Sequence, residues 1–273
     1  MTKAKTFADI APHYLAERVV SAVYAANVKR VAGKIGTVSV ERLNKYIMQR
    51  AEQVSGITAR SERTIALCMW RWAYDRGLLD IAPRGVLKMK ARKRPTKAWT
   101  IPQLQALVKA TRQYDGKWMR SQADLGQFLR AWVLLAYETG ARFGDVMAFR
   151  AEHLDGDTIS WTQSKTGDPM VRSLTPACLD ACDAMLKRSP DTTIVGWACG
   201  KREAMRLMRK LLDSQGLGGS SKWLRRSGAT HCEMAQPGAG RLHLGHRSPA
   251  LFESAYADFS QLRTKTPKTP PLV

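Results

Sequence analysis

Five side chains scattered along the chain are suited to work on a phosphodiester. Arg142 lies in ETGARFGD, Lys165 in QSKTGD, Lys222 and Arg225 in KWLRRSGATH, and Tyr256 in the stretch LHLGHRSPALFESAYADF, downstream of His246. Attack at phosphorus builds negative charge on the non-bridging oxygens, and two guanidinium forks meet that charge with directional donors that stay protonated. A phenol, with an unperturbed pKa near ~10, needs cationic surroundings and a proton acceptor to become a nucleophile at neutral pH. Gly140 and Gly144 bracket Arg142 and permit a tight bend and the close approach of a ligand. Asp145, one helical turn on, can hold the guanidinium in one orientation.

These residues need a scaffold, and the chain reads as a mainly α protein with one small antiparallel sheet. Residues 1–83 read as a helical domain. In RTIALCMWRWAYDRGLL the apolar Ile65, Cys68, Met69 and Trp72 recur at helical spacing. Arg63 and Arg71 lie off that face and are candidate DNA contacts, and Gly77 is a stop. FADIAPHYLAERVVSAVYAANVKRVA and VERLNKYIMQRAEQV share the amphipathic pattern. Residues 84–98 read as a basic linker, with Arg84, Lys88, Lys90, Arg92, Lys93, Arg94 and Lys97 free to follow a phosphate backbone.

A second domain is expected over 99–260. Thr100 and Gln103 form a capping box for a helix through Ala110. QFLRAWVLLAYETG reads as an apolar helix ending at Gly140, and GDVMAFRAEHL as another. DGDTISWTQSKTGDPMVRSLTP changes period: after a DGD turn come two short strands joined at Thr166–Gly167. Helices resume from Ala177. The proline-rich tail 261–273 has no apolar face, although Phe259 and Leu262 just before and within its start can anchor a neighbour.

Composition narrows the partner. The formal charge of +21 makes a polyanion the expected ligand. A membrane is the competing polyanion, but no apolar run approaches the roughly 18 residues of a span. No secretory signal precedes the first helix, so a cytosolic protein is expected. The five cysteines are odd in number and form no CxxC pair, which speaks against a disulfide frame or a zinc ribbon. Cys178 and Cys182, four apart on a helix, read as reduced core thiols.

In order, YETGARFGDVMAFR, QSKTG, LRRSGATH, LGH and the tyrosine resemble the catalytic domain of the tyrosine recombinases, the phage integrase family. The helical residues before Pro83 resemble that family's core-binding domain. The likeness implies that Arg142 and Arg225 clamp the scissile phosphate, that His246 donates to the same oxygens, and that Lys165 protonates the departing 5′ oxygen. It implies Tyr256 as the nucleophile, leaving a 3′-phosphotyrosine and a free 5′ hydroxyl. Arg226 should point elsewhere on its helix, to a phosphate contact or a structural role. No cofactor or metal is implied, since the ester stores the phosphodiester energy. The expected partners are duplex DNA and three further copies in a tetramer on two sites, with accessory DNA-bending proteins compatible and no membrane. The arm-binding domain of some integrases has no room before Thr6.

Two departures stand out. Lys222 occupies the place where the family most often has a histidine, and a protonated lysine cannot accept the tyrosine proton unless its pKa is depressed. The interval from His246 to Tyr256 is one position longer than expected. Tyr137 is the other tyrosine near an arginine motif and reads as core. A type IB topoisomerase shares the chemistry, and a DNA-binding regulator shares the fold without catalysis; both remain as alternatives at this stage.

Overall fold

Serine and threonine caps set the helices of the N-terminal part. Thr6, Ser21, Ser39 and Ser55 each accept a backbone N–H in the first turn of the helix that follows. The resulting helices are α1 (Phe7–Ala16), α2 (Ala22–Ile35), α3 (Val40–Gln53) and α4 (Gly56–Asp75). The computed structural model describes residues 4–89, 95–246 and 248–262. Its chain divides into two compact units, 1–94 and 95–273.

The first unit closes over Phe7, Ile10, Tyr14, Val28, Ile35, Leu43, Met69 and Trp70. Phe7 meets Trp70 edge-on at 6.0 Å between ring centroids. Of the residues expected to face inward on α4, Ile65, Met69 and Trp72 are buried and Cys68 is half-buried. One buried charge crosses this core. Glu62 on α4 receives Arg50 Nε and Nη2 at 2.8 and 2.9 Å, Arg30 Nη1 at 2.7 Å and the Tyr46 hydroxyl at 2.7 Å. The Arg50 fork, together with Arg30 and Tyr46, holds the Glu62 carboxyl down at about 2 against its burial.

The start of the basic stretch is docked on this unit instead of hanging free. Asn44 donates to the Gly85 carbonyl and accepts from Leu87 N–H. Arg63 donates to the carbonyls of Leu87 at 2.5 Å and Val86 at 3.3 Å, so it braces its own unit. Arg71, Arg84 and Lys88 are exposed. Lys90, Arg92, Lys93 and Arg94 lie outside the described residues.

The second unit contains α5 (Ile101–Thr111), α6 (Leu125–Glu138), α7 (Phe143–Ala148), strands β1 (Leu154–Asp155), β2 (Thr158–Thr162) and β3 (Pro169–Ser173), then α8 (Pro176–Leu186), α9 (Lys201–Ser214), α10 (Lys222–Ala235), α11 (Ala239–His243), α12 (Pro249–Ala255) and α13 (Phe259–Leu262). The Thr100–Gln103 capping box is present. Apolar α6 packs against α5, α8 and α10, and its Phe128, Trp132 and Leu135 are fully buried. Cys178 and Cys182 are buried free thiols on α8, as their spacing suggested. No described helix is long and apolar enough to cross a membrane.

Three elements differ from expectation. The sheet has three antiparallel strands in the order β1-β2-β3, because the DGD turn folds Leu154–Asp155 back onto Thr158–Ile159. Strand β2 pairs with β3 in the register Trp161↔Met170, which sends Ile159 and Trp161 into the core. The helix expected over GDVMAFRAEHL stops at Ala148. Phe149 turns extended and is 1 % exposed, 5.3 Å from Trp161, while its carbonyl accepts from Ile194 N–H. Burying a phenylalanine is worth roughly 1.5–3 kcal/mol, more than one helical turn contributes. The third difference is small: α6 ends at Glu138, and Gly140 makes the turn at φ +60°.

Candidate active site

Arg142 is the N-cap of α7, directly after the Gly140 turn. A Cβ on Gly140 would come within 2.6 Å of His243 Nε2, so only glycine lets α6 end this close to α11. Gly144 faces open space, so its contribution is room beside the arginine. The Arg142 guanidinium donates to Gln163 Oε1. Asp145, expected to hold it, forms a long ion pair with it through one oxygen at 4.0 Å. The other Asp145 oxygen accepts from Ser164 N–H and Oγ at 3.1 and 2.5 Å. Asp145 thus fastens the β2–β3 loop, and Gln163 orients the arginine.

Arg225 rises from α10 into the centre of the site and is 7 % exposed. It donates to the carbonyls of Gly140 and Leu244, and its Nη2 lies 3.4 Å from His246 Nε2. Burial lowers its pKa to about 10, with Tyr256 opposing and Arg142 adding to the fall. It remains a cation at neutral pH. His246 is also buried, and burial followed by the repulsion of Arg225 and Arg142 pushes its pKa down to about 4. Its ring is therefore neutral at pH 7. Facing a guanidinium N–H, Nε2 is the acceptor and Nδ1 carries the proton.

Tyr256 ends α12 and is half-buried. Its ring meets His246 at 4.7 Å between centroids and 65° between planes, and Arg225 Cζ lies 5.4 Å from the ring centre. Thr230 Oγ1 donates to its carbonyl, and two residues on Asp258 accepts from Ala98 N–H at 2.9 Å. Whatever its length, the interval after His246 brings the two rings into contact.

Arg142, Arg225, Tyr256, Lys222, Arg226 and Lys201 all border one cavity of about 550 Å³, with Trp132 and Phe143 among its apolar wall. Arg226 also borders the cavity, where a phosphate contact, one of the two roles expected of it, is open to it. Lys201, at the start of α9, carries no motif and was not singled out by sequence; only the packing of α9 brings it here. Lys222 is exposed in the first turn of α10. Lys165 is exposed on the β2–β3 loop and is not among the residues bordering the cavity. Lys97 is exposed ahead of α5. Tyr137 is half-buried on α6, its hydroxyl 3.0 Å from His231 Nδ1. Such a cavity can seat a phosphate diester with cations on several sides and a phenol at its edge.

No protein-family model matches the chain, and no curated protein matches it by sequence. Solved structures do. A lambda integrase dimer bound to a COC′ core site superposes with a TM-score of 0.77 at 16 % identity, covering 99 % of this chain and 81 % of that one. A lambda integrase tetramer bound to a Holliday junction gives 0.74 at 15 % identity over 98 % and 80 %. XerH site-specific recombinase, in a post-cleavage complex with a palindromic difH substrate, gives 0.71 at 12 % identity over 89 % and 77 %.

Proposed function

We propose that this chain, whose fold is that of the tyrosine recombinases, is a site-specific DNA recombinase that cuts and rejoins duplex DNA through a covalent tyrosine ester. The reading is carried by the meeting of Tyr256, His246 and Arg225 at the edge of a cation-lined cavity. The scissile phosphate sits between Arg142 and Arg225, which neutralise the charge that grows on its non-bridging oxygens. The Tyr256 oxygen attacks phosphorus, the bond to the 5′ oxygen breaks, and Lys165 supplies the proton that turns that oxygen into a hydroxyl. Lys165 is exposed on the β2–β3 loop outside the cavity lining, so this role requires the loop to move toward bound DNA. The phenol proton passes to Nε2 of His246, which is uncharged before DNA binds, as the Tyr256 oxygen attacks. Lys222 and Arg226 hold phosphate from the rim.

Religation runs the same steps backward, with the 5′ hydroxyl attacking the phosphotyrosine. The ester conserves the bond, so ATP is not consumed. The charge of +21 supports duplex DNA as the partner. The likeness to the lambda integrase tetramer on a Holliday junction supports four copies acting on two sites.

A nicked duplex, in which the fragment beyond the cut diffuses away, traps the covalent species. The wild-type chain is expected to form a denaturation-resistant protein–DNA adduct that Tyr256→Phe abolishes. A chain that binds DNA but gives no such adduct is a regulator. Strand exchange between two sites, without relaxation of site-free supercoils, separates a recombinase from a type IB topoisomerase.

A further inference from the structure

Gln163 directly follows β2, two residues before Lys165, and is 2 % exposed. Both ends of its amide are in use. Oε1 accepts from Arg142 Nη1, and Nε2 donates to the Leu244 carbonyl at 3.1 Å. That same carbonyl accepts from Arg225 Nη2 at 3.3 Å. One amide and one carbonyl therefore join Arg142 to Arg225. The Gln163 backbone also closes the Lys165 loop, donating to Asp168 O at 2.9 Å and accepting from Gly167 N–H at 2.9 Å. Next to Leu244, Gly245 passes so close that a Cβ would lie 2.6 Å from Gln163 Nε2, which fixes the turn leading to His246 against this amide.

We propose that Gln163 is a positioning residue that sets Arg142 and Arg225 as one phosphate clamp and ties their spacing to the turn carrying His246. This rests on the reading of the cavity as a recombinase site. A neutral acceptor is the suitable partner for Arg142. A carboxylate would neutralise the guanidinium and compete with phosphate, while an apolar side chain would deprive Arg142 of its acceptor and the Leu244 carbonyl of one of its two donors. Glutamine orients the arginine without cancelling its charge.

The test compares wild type, Gln163→Met, Gln163→Glu, Lys165→Ala and Tyr256→Phe on the nicked duplex, measuring duplex affinity and the rate of adduct formation at saturating DNA. A second duplex carries sulfur in place of the bridging 5′ oxygen, because a thiolate departs without an acid. Both Gln163 variants are expected to bind uncut duplex within about threefold of wild type and to form adduct some ten- to a hundredfold more slowly. The sulfur duplex is expected to restore Lys165→Ala and to leave Gln163→Met slow. Wild-type rates in both Gln163 variants overturn the proposal, as does full rescue of Gln163→Met by sulfur, which would place its effect on the lysine alone. Equal loss of affinity and rate in both variants also overturns it, because that is the mark of a misfolded site. A wild-type chain that forms no Tyr256-dependent adduct overturns the recombinase reading and this inference together; an active wild type with unaffected Gln163 variants overturns the inference alone.

Discussion

His246 and Tyr256 meet edge to face, their ring centroids 4.7 Å apart, with Arg225 against both. The contact gives the phenol a neutral imidazole on one side and a fixed cation on another. His246→Ala removes the imidazole and leaves the cation. It is expected to slow adduct formation by roughly 10²–10⁴, the usual weight of a positioned acid or base, with duplex binding kept. A quenched-flow time course on the nicked duplex checks this, and an unchanged rate would remove His246 from the chemistry.

Three buried histidines, His231, His243 and His246, make the fold acid-sensitive, burial lowering the pKa of each. His243 and His246 have pKa values pushed from 6.5 to about 4, first by burial and then by nearby arginines. Between those pH values the unfolded chain binds more protons than the fold, so stability rises with pH. Their contribution is complete above about 6.5 and drains away as pH falls toward about 4, at an upper bound of about 3 kcal/mol per residue. Glu62 acts lower: its pKa drops from 4.5 to about 2, so its stabilisation is present above 4.5 and is lost on acidification toward about 2. Urea midpoints measured from pH 7 to pH 4 should fall in the wild type and fall less steeply in His243→Gln.

Gly140 and Gly144 flank Arg142 but carry different constraints. At Gly140 the backbone has φ +60°, and a Cβ would press on His243; at Gly144 nothing lies within 4 Å. Gly140→Ala should cost about 1–3 kcal/mol and disturb Arg225, whose guanidinium donates to the Gly140 carbonyl. Gly144→Ala, on α7, should leave stability unchanged or raise it by a few tenths of a kcal/mol. Thermal melts of the two variants distinguish these outcomes, and equal destabilisation would contradict the geometry.

Glu62 offers a test confined to the first unit. Removing it strands Arg50, only 14 % exposed, beside the Tyr46 hydroxyl, whereas Arg30 is 40 % exposed and partly solvated. Glu62→Ala is expected to destabilise α2–α4 by roughly 3–5 kcal/mol, and Arg30→Ala by less than about 1 kcal/mol. Hydrogen exchange of the amides in α2, α3 and α4 reads the unit directly.

What was legible in the chain was what depends on near neighbours. The Thr100–Gln103 box, the inward face of α4 and the β2–β3 pair are each determined within a few residues. Arg142, Arg225, His246 and Tyr256 came into view through short motifs, and the fold brings these four together. The end of α7 was not legible, because Phe149 is held by Trp161 and Ile194 from later in the chain. The same holds for the hydrogen bonds that Asp145 accepts from Ser164 beside its ion pair with Arg142, and for Gln163, whose role depends on the Leu244 carbonyl. Lys201 had no local signal at all.

Lys201 therefore provides a test that owes nothing to motif recognition, with Arg226 of the LRRSGATH motif as its comparison. Both border the cavity with Tyr256. If each meets a backbone phosphate, each neutral variant should reduce the slope of log affinity against log salt by about 1. Lys201→Ala and Arg226→Ala should weaken binding to cognate and unrelated duplexes alike, because phosphate contacts carry no sequence information. Fluorescence anisotropy over a range of potassium chloride concentrations measures the slope. A Lys201→Ala slope equal to wild type would mean that the cation faces solvent when DNA is bound, and that the phosphate track runs on the Lys222 and Arg226 side of the cavity.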